Sequence, residues 1–184
     1  MRLTATIAAM AAFLLLAAPV ARAGVEEGAD AYRRADFATA LKELKPAAET
    51  GSPVAQYLLG KMFSAGLGVE RDQKKATELF KASAEKGLAY AQVDLGNALV
   101  LGDGVEQDFI EGIKWLIIAS DTGLEDAKKQ VAAINGVVDR PTALDARLKA
   151  RQWEANNKTF PLDSPESSMA APAEAPQMPA PDRR

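Results

Sequence analysis

Apolar positions along the middle of the chain follow two periods at once. The short one is helical: Ala55, Leu59, Met62 and Phe63 fall at i, i+4, i+7 and i+8, and Ala76, Leu79, Phe80, Ser83 and Ala84 at i, i+3, i+4, i+7 and i+8, each tracing one face of a helix. The long period is 36 residues. Gly51, Ala55, Gln56, Leu59, Gly60, Gly66, Gly68, Val69, Glu70 and Asp72 return without a gap as Gly87, Ala91, Gln92, Leu95, Gly96, Gly102, Gly104, Val105, Glu106 and Asp108. A unit of this size buries its apolar face only by stacking on its neighbours, so the pattern predicts an all-α solenoid.

Polar and special residues punctuate each unit. Ser52 before Pro53 reads as an N-cap followed by proline at the first helical position, opening helix A. Helix A ends near Ser64, where Gly66 and Gly68 can take left-handed conformations, and Val69 is expected to plug the turn into the core. Asp72 caps helix B, and its equivalent Asp108 has Glu111 at capping-box spacing. Gly87 closes helix B and begins the next unit.

Helix A, a paired-glycine turn, helix B and a terminal glycine resemble the Sel1-like repeat, a relative of the tetratricopeptide repeat. The matching stretches are AQYLLGKMFSAGLGVERDQKKATELFKASAEKG from Ala55 to Gly87 and AQVDLGNALVLGDGVEQDFIEGIKWLIIASDTG from Ala91 to Gly123. The resemblance implies a right-handed α-α superhelix, and a role as an adaptor that binds other proteins. Its exported members include regulators of envelope signalling and exopolysaccharide production.

The organisation that follows is a signal peptide over 1–23, a tetratricopeptide-like hairpin over 24–50 and repeats over 51–86 and 87–122. A partial repeat with a capping helix covers 123–155, and a disordered Pro/Ala-rich tail covers 156–184. Within the first hairpin, Pro46 is expected to kink or shorten the second helix. In the partial repeat, Pro141 and Thr142 open a helix carrying Leu144, Leu148 and Trp153, expected to cover the end of the array. Six of the ten prolines lie beyond Asn156, in a segment too poor in apolar residues to order itself.

Composition narrows the function more than it names it. Arg2, the apolar run from Ile7 to Ala18 and Ala21-Arg22-Ala23 before Gly24 read as an export signal cut after Ala23. The run is too short for a comfortable span, so no stable membrane insertion is expected after cleavage and the mature chain is placed in a periplasm or outside the cell. Loss of Arg2 and Arg22 takes the formal charge from −3 to −5, which argues against nucleic acid as a partner. Cysteine and histidine are both absent, removing disulfides, the usual zinc ligands and the commonest general base. No cofactor and no catalytic residue is expected.

Motifs with catalytic overtones have plainer readings. Gly66-Leu67-Gly68 and Gly102-Asp103-Gly104 follow a helix and lack the third glycine of a dinucleotide loop. Ser83-Ala84-Glu85-Lys86 has Ser-x-x-Lys spacing but no Lys-Thr-Gly accompanies it. Two surfaces remain as candidates for a partner protein. One is the concave face expected from helix A positions off the core stripe: Val54, Tyr57, Lys61 and Ser64, then Tyr90, Val93, Asn97 and Val100, with Lys129 beyond. The other is Ile113 and Ile117, a second apolar stripe on the later helix B, which is either a contact site or covered by the capping helix. A cell-wall hydrolase or ligand-binder and a self-associating structural protein stand as alternatives, and self-association is left open.

Overall fold

The computed structural model describes residues 24–171; the expected export signal and residues 172–184 lie outside the described residues. The described chain is helical throughout. Helix α1 covers 24–33, followed by α2 (Phe37–Glu49), α3 (Pro53–Ala65), α4 (Gln73–Ala84), α5 (Ala89–Leu101), α6 (Phe109–Asp121), α7 (Glu125–Asn135), α8 (Arg140–Asn156) and α9 (Pro165–Ala170). Helices α3 and α4 form one hairpin and α5 and α6 the next, and α2 packs on α3, α4 on α5 and α6 on α7, so a continuous apolar core runs along the stack.

Caps and turns are built as the sequence pattern requires. Ser52 Oγ accepts from the Ala55 N–H (3.3 Å), Asp72 from Lys75 (3.0 Å) and Asp108 from Glu111 (2.9 Å). Gly66 and Gly102 end α3 and α5 in the left-handed conformation, with φ of 71° and 72°. The repeat borders are equally regular: Gly51, Gly87 and Gly123 have φ of 93°, 94° and 100°. The third marks where another unit would begin.

Three recurring residues acquire roles that periodicity alone does not assign. Gln56 and Gln92 are buried on the A helices, and each donates from Nε2 to a carbonyl in the last turn of the preceding helix, Ala48 O at 3.2 Å and Ala84 O at 3.3 Å. They supply a donor to carbonyls that the helix cannot satisfy internally. Gly96 and Gly112 let α5 and α6 cross backbone to backbone: a Cβ on Gly96 would lie 2.9 Å from Gly112 O, and one on Gly112 2.8 Å from Gly96 O. The second turn glycine seats each repeat on the one before it. A Cβ on Gly68 would come within 2.8 Å of Phe37 Cβ, and one on Gly104 within 2.8 Å of the Lys74 nitrogen at the start of α4. Thr77 Oγ1 donates to Asp103 O (3.0 Å) and Gln73 Nε2 to Asp103 Oδ2 (2.5 Å) across that junction.

The ends of the array depart from expectation. Helix α2 runs on through Pro46 to Glu49, so the proline does not shorten it, although without an N–H it gives Lys42 O no intrahelical donor. Helix α8 lies along α6 rather than pairing with α7, so the fourth hairpin is opened. Leu144 and Leu148, expected to cover α6, are 59% and 55% exposed. Ala146, Ala150 and Trp153, at i, i+4 and i+7, turn inward instead, and the small alanines allow close approach while Trp153 meets Trp115 edge to face at 5.2 Å. The tail is corrected as well. Residues 157–171 pack on the solenoid, and Ser167 and Ala170 are buried. That segment has little to fold around by itself, and it orders against a surface already present.

Candidate functional site

Helices α1, α3 and α5 carry the three tyrosines, Tyr32, Tyr57 and Tyr90, on one side of the stack. Tyr57 stacks on Tyr90 with ring centroids 6.2 Å apart and meets Phe80 of α4 at 6.0 Å. Asp94, one turn after Tyr90, pairs with Lys61 at 3.1 Å. Burial, and then the Asp94 carboxylate, push the Tyr32 hydroxyl above its usual range and Tyr57 well above it. Both phenols therefore stay protonated at neutral pH and serve as apolar surface with a hydroxyl donor, not as bases.

The sequence expectation that Val54 and Tyr57 face an open groove is corrected: they are 1% and 5% exposed. Every residue of α3 from Val54 to Gly60 is buried, because α2, α4 and α9 all pack on this helix. Tyr90, Val93, Asn97 and Val100 on α5, with Lys61 and Ser64 on α3, remain partly exposed. Lys61, Ser64, Asp94, Asn97 and Asp103 line a hollow of about 140 Å³ between α3, α4 and α5.

The third layer on this face is the chain itself. The Phe160 N–H donates to Gly87 O at 2.9 Å, and a Cβ on Gly87 would collide with the Lys158 carbonyl. Leu162 passes beside Gly123, the next repeat border. Helix α9, capped by Ser164 accepting from the Ser167 N–H at 3.1 Å, then lies across α3 and touches α5. At its end Met169 O accepts from the Arg33 guanidinium at 3.4 Å. The sequence reading missed this segment. Its signals are the apolar Phe160-Pro161-Leu162 inside a polar tail and Ser164-Pro165, a capped helix start of the kind read correctly at Ser52-Pro53.

On the opposite side, Ile113 is 2% exposed and Ile117 half-buried, so Ile113 is not part of an open apolar patch; α8 lies over this helix. A cleft of about 620 Å³ between α4 and α6 is lined by Lys74, Lys81, Glu78, Glu111, Trp115 and Trp153, among others. Lys114 pairs there with Glu111 and sits 4.1 Å above the Trp115 ring, a cation–π contact. Among the described residues, no three acids cluster as a metal site and no helix is long and apolar enough to cross a membrane.

Residues 53–88 and 89–124 each match the family profile of the Sel1 repeat. Among solved structures, the chain is similar to c5321, a protective antigen present in uropathogenic Escherichia coli strains and displaying an SLR fold, at 23% identity and a TM-score of 0.68 over 89% of this chain and 34% of that one. It is also similar to a Sel1 repeat protein from Oxalobacter formigenes, at 26% identity and a TM-score of 0.57 over 68% of this chain and 54% of the other. The chain thus spans about a third and about half of the length of those two proteins. No curated protein matches it.

Proposed function

From a chain that carries two tandem Sel1 repeats, a unit that generally mediates protein–protein interaction, we propose a non-enzymatic adaptor or regulator of the bacterial periplasm that holds a partner protein on its A-helix face. The observation behind this reading is that the face of α1, α3 and α5 holds a peptide segment from outside the repeats, with the Phe160 N–H donating to Gly87 O and the Arg33 guanidinium to Met169 O. A surface that accepts an extended strand followed by one short helix has the form of a peptide-recognition groove. The export signal read at 1–23 supports the periplasmic setting, and with it a part in envelope signalling or exopolysaccharide regulation.

Within this proposal Lys61, Tyr90, Val93 and Asn97 make the contacts at the groove's open edge. Val54 and Tyr57 support them from below, and Ile113 and Ile117 hold the back of the array. Crosslinking pulldown from a native envelope preparation, with the mature chain from Gly24 and a Lys61→Glu/Asn97→Arg variant, tests it. A partner captured by the first and lost with the second is expected. Capture indifferent to both substitutions would move the interface elsewhere.

A further inference from the structure

We infer that residues 157–171 act as an intramolecular peptide ligand of the A-helix groove, and that the groove's partner is a segment of the same chemistry. That chemistry is an aromatic-Pro-aliphatic strand leading into a Ser-Pro-capped helical turn with small residues at i and i+3. The inference rests on the adaptor reading and specifies its partner and its regulation.

Residues at each end of the segment define what the groove selects. Phe160 and Met169 pack against the apolar core and Leu162 lies beside Gly123, while Ser167 and Ala170 sit fully buried on the inner side of α9. A larger side chain at either small position would lift α9 from α3. Gly87 at the second repeat border is used twice, for its left-handed turn and for the room it leaves the Lys158 carbonyl.

The hold is firm enough to fill the groove and weak enough to release. The segment's hydrogen bonds to the rest of the chain include those through the Phe160 N–H and Met169 O, and Asn157 Nδ2 donates to Trp153 O at the end of α8 at 2.8 Å. The Ser167 Oγ is buried without any partner, an uncompensated loss of hydration that a better ligand would avoid. Proximity makes up for this modest fit. The segment follows directly on α8, so its effective concentration at the groove is on the order of 1 mM, as for short linkers. For a free copy of the same peptide with intrinsic constant K, competition then makes the apparent constant K plus that effective concentration. The native chain should bind the free peptide no tighter than about 1 mM, whatever the value of K.

The test uses a fluorescent peptide of residues 159–171 and two full mature chains, wild type and Ala170→Arg, the second chosen to expel α9. Fluorescence anisotropy should show at least tenfold tighter binding to the variant, with helical circular dichroism lower by no more than the six residues of α9. Equal binding by the two folded chains, or none by either, would overturn the proposal. Hydrogen exchange on the wild type decides the matter independently of the variant. Amides of 166–170 should exchange at least tenfold faster than those of α3, and equal protection would make the segment ordinary core. A partner pulled down equally by both chains, with no peptide discrimination, would remove the cis ligand and leave the adaptor reading standing. Peptide discrimination with no partner captured would do the reverse.

Discussion

Substituting the two glycines of one turn separately weighs the junction between repeats. Gly102→Ala and Gly104→Ala both place an L side chain at φ 72°, which costs roughly 1–2 kcal/mol, reduced by the smaller entropy of the unfolded chain by about 0.4–1 kcal/mol. At Gly102 the added Cβ would stand 3.4 Å from Gln107 Cβ, an ordinary contact, so the net loss should be about 1 kcal/mol. At Gly104 it would strike the start of α4, 2.8 Å from the Lys74 nitrogen, and backbone cannot rotate aside as a side chain can. Separating the turn from α4 adds an overpacking cost of about 1–3 kcal/mol, and the Gln73 hydrogen bond to Asp103 is worth about 1 kcal/mol, whereas the Thr77 hydroxyl keeps Gln73 O as an acceptor at 3.0 Å. The Gly104 variant should therefore lose about 2–4 kcal/mol more than its neighbour. With a urea slope of about 2 kcal/mol per molar, that separates the unfolding midpoints by roughly 1–2 M. The same order should hold in the first repeat, because a Cβ on Gly68 would meet Phe37 Cβ at 2.8 Å whereas one on Gly66 would stand 3.5 Å from Arg71 Cβ. Midpoints that coincide for Gly102→Ala and Gly104→Ala would refute the idea that the turn carries the junction.

Tyr57→Ala should lose about 3–5 kcal/mol, the range for a buried aromatic, in thermal or urea unfolding; a loss under 1 kcal/mol would return the ring to an open groove. Ile113→Lys places an ammonium where the native side chain is 2% exposed, so the chain should fail to fold or lose more than about 4 kcal/mol, while a soluble, native-like variant would contradict the burial. Gln92→Ala should cost about 0.5–1.5 kcal/mol, the net worth of one hydrogen bond, because Ala84 O keeps the Gly87 N–H at 2.9 Å; the loss is read as a shift in urea midpoint at unchanged slope. Hydrogen bonding by Thr39 and by Thr142, side chain first and then backbone, holds the N-cap carboxyls of Asp36 and Asp139 below the usual carboxylate range. Their depressed folded-state values mean that the stabilisation is present at neutral pH and lost as pH falls below about 4. Asp36→Asn with Asp139→Asn keeps both caps without the titration, so the fall of melting temperature with acid should be shallower than in the wild type.

The repeat was legible because its parts are local. Ser52-Pro53, Gly66, Asp72 and Gly87 declare caps and turns through their own backbone chemistry, and a gap-free 36-residue period leaves no register to choose. What covers a face is another matter. Tyr57 and Val54 fall off the core stripe of α3 when that helix is viewed alone, and burial there depends on the neighbouring helices together with α9, which arrives from far along the chain. The capping helix misled through size: Leu144 and Leu148 are the large apolar residues, yet Ala146 and Ala150 make the contact, since close helix packing favours small side chains. In the tail, proline content suggested disorder, whereas three apolar residues and one serine cap were enough to dock it on a surface already folded. Gln56 and Gln92 recur in the sequence, but only the position of the preceding helix end shows why.

The end of the array bears on how this architecture can change in length. Gly51 and Gly87 each begin a unit that meets its predecessor through the same parts: a second turn glycine on the start of the previous helix B, and a glutamine on its last carbonyls. An extra copy of residues 87–122 spliced between Lys86 and Gly87 should find all its contacts ready, giving a longer protein with the same ends. Beyond Asp121 that freedom stops, because α8 lies on the surface that the next unit would need. Growth by duplication is therefore open in the interior and closed at the C-terminal side, so copy number in such a chain is set from within.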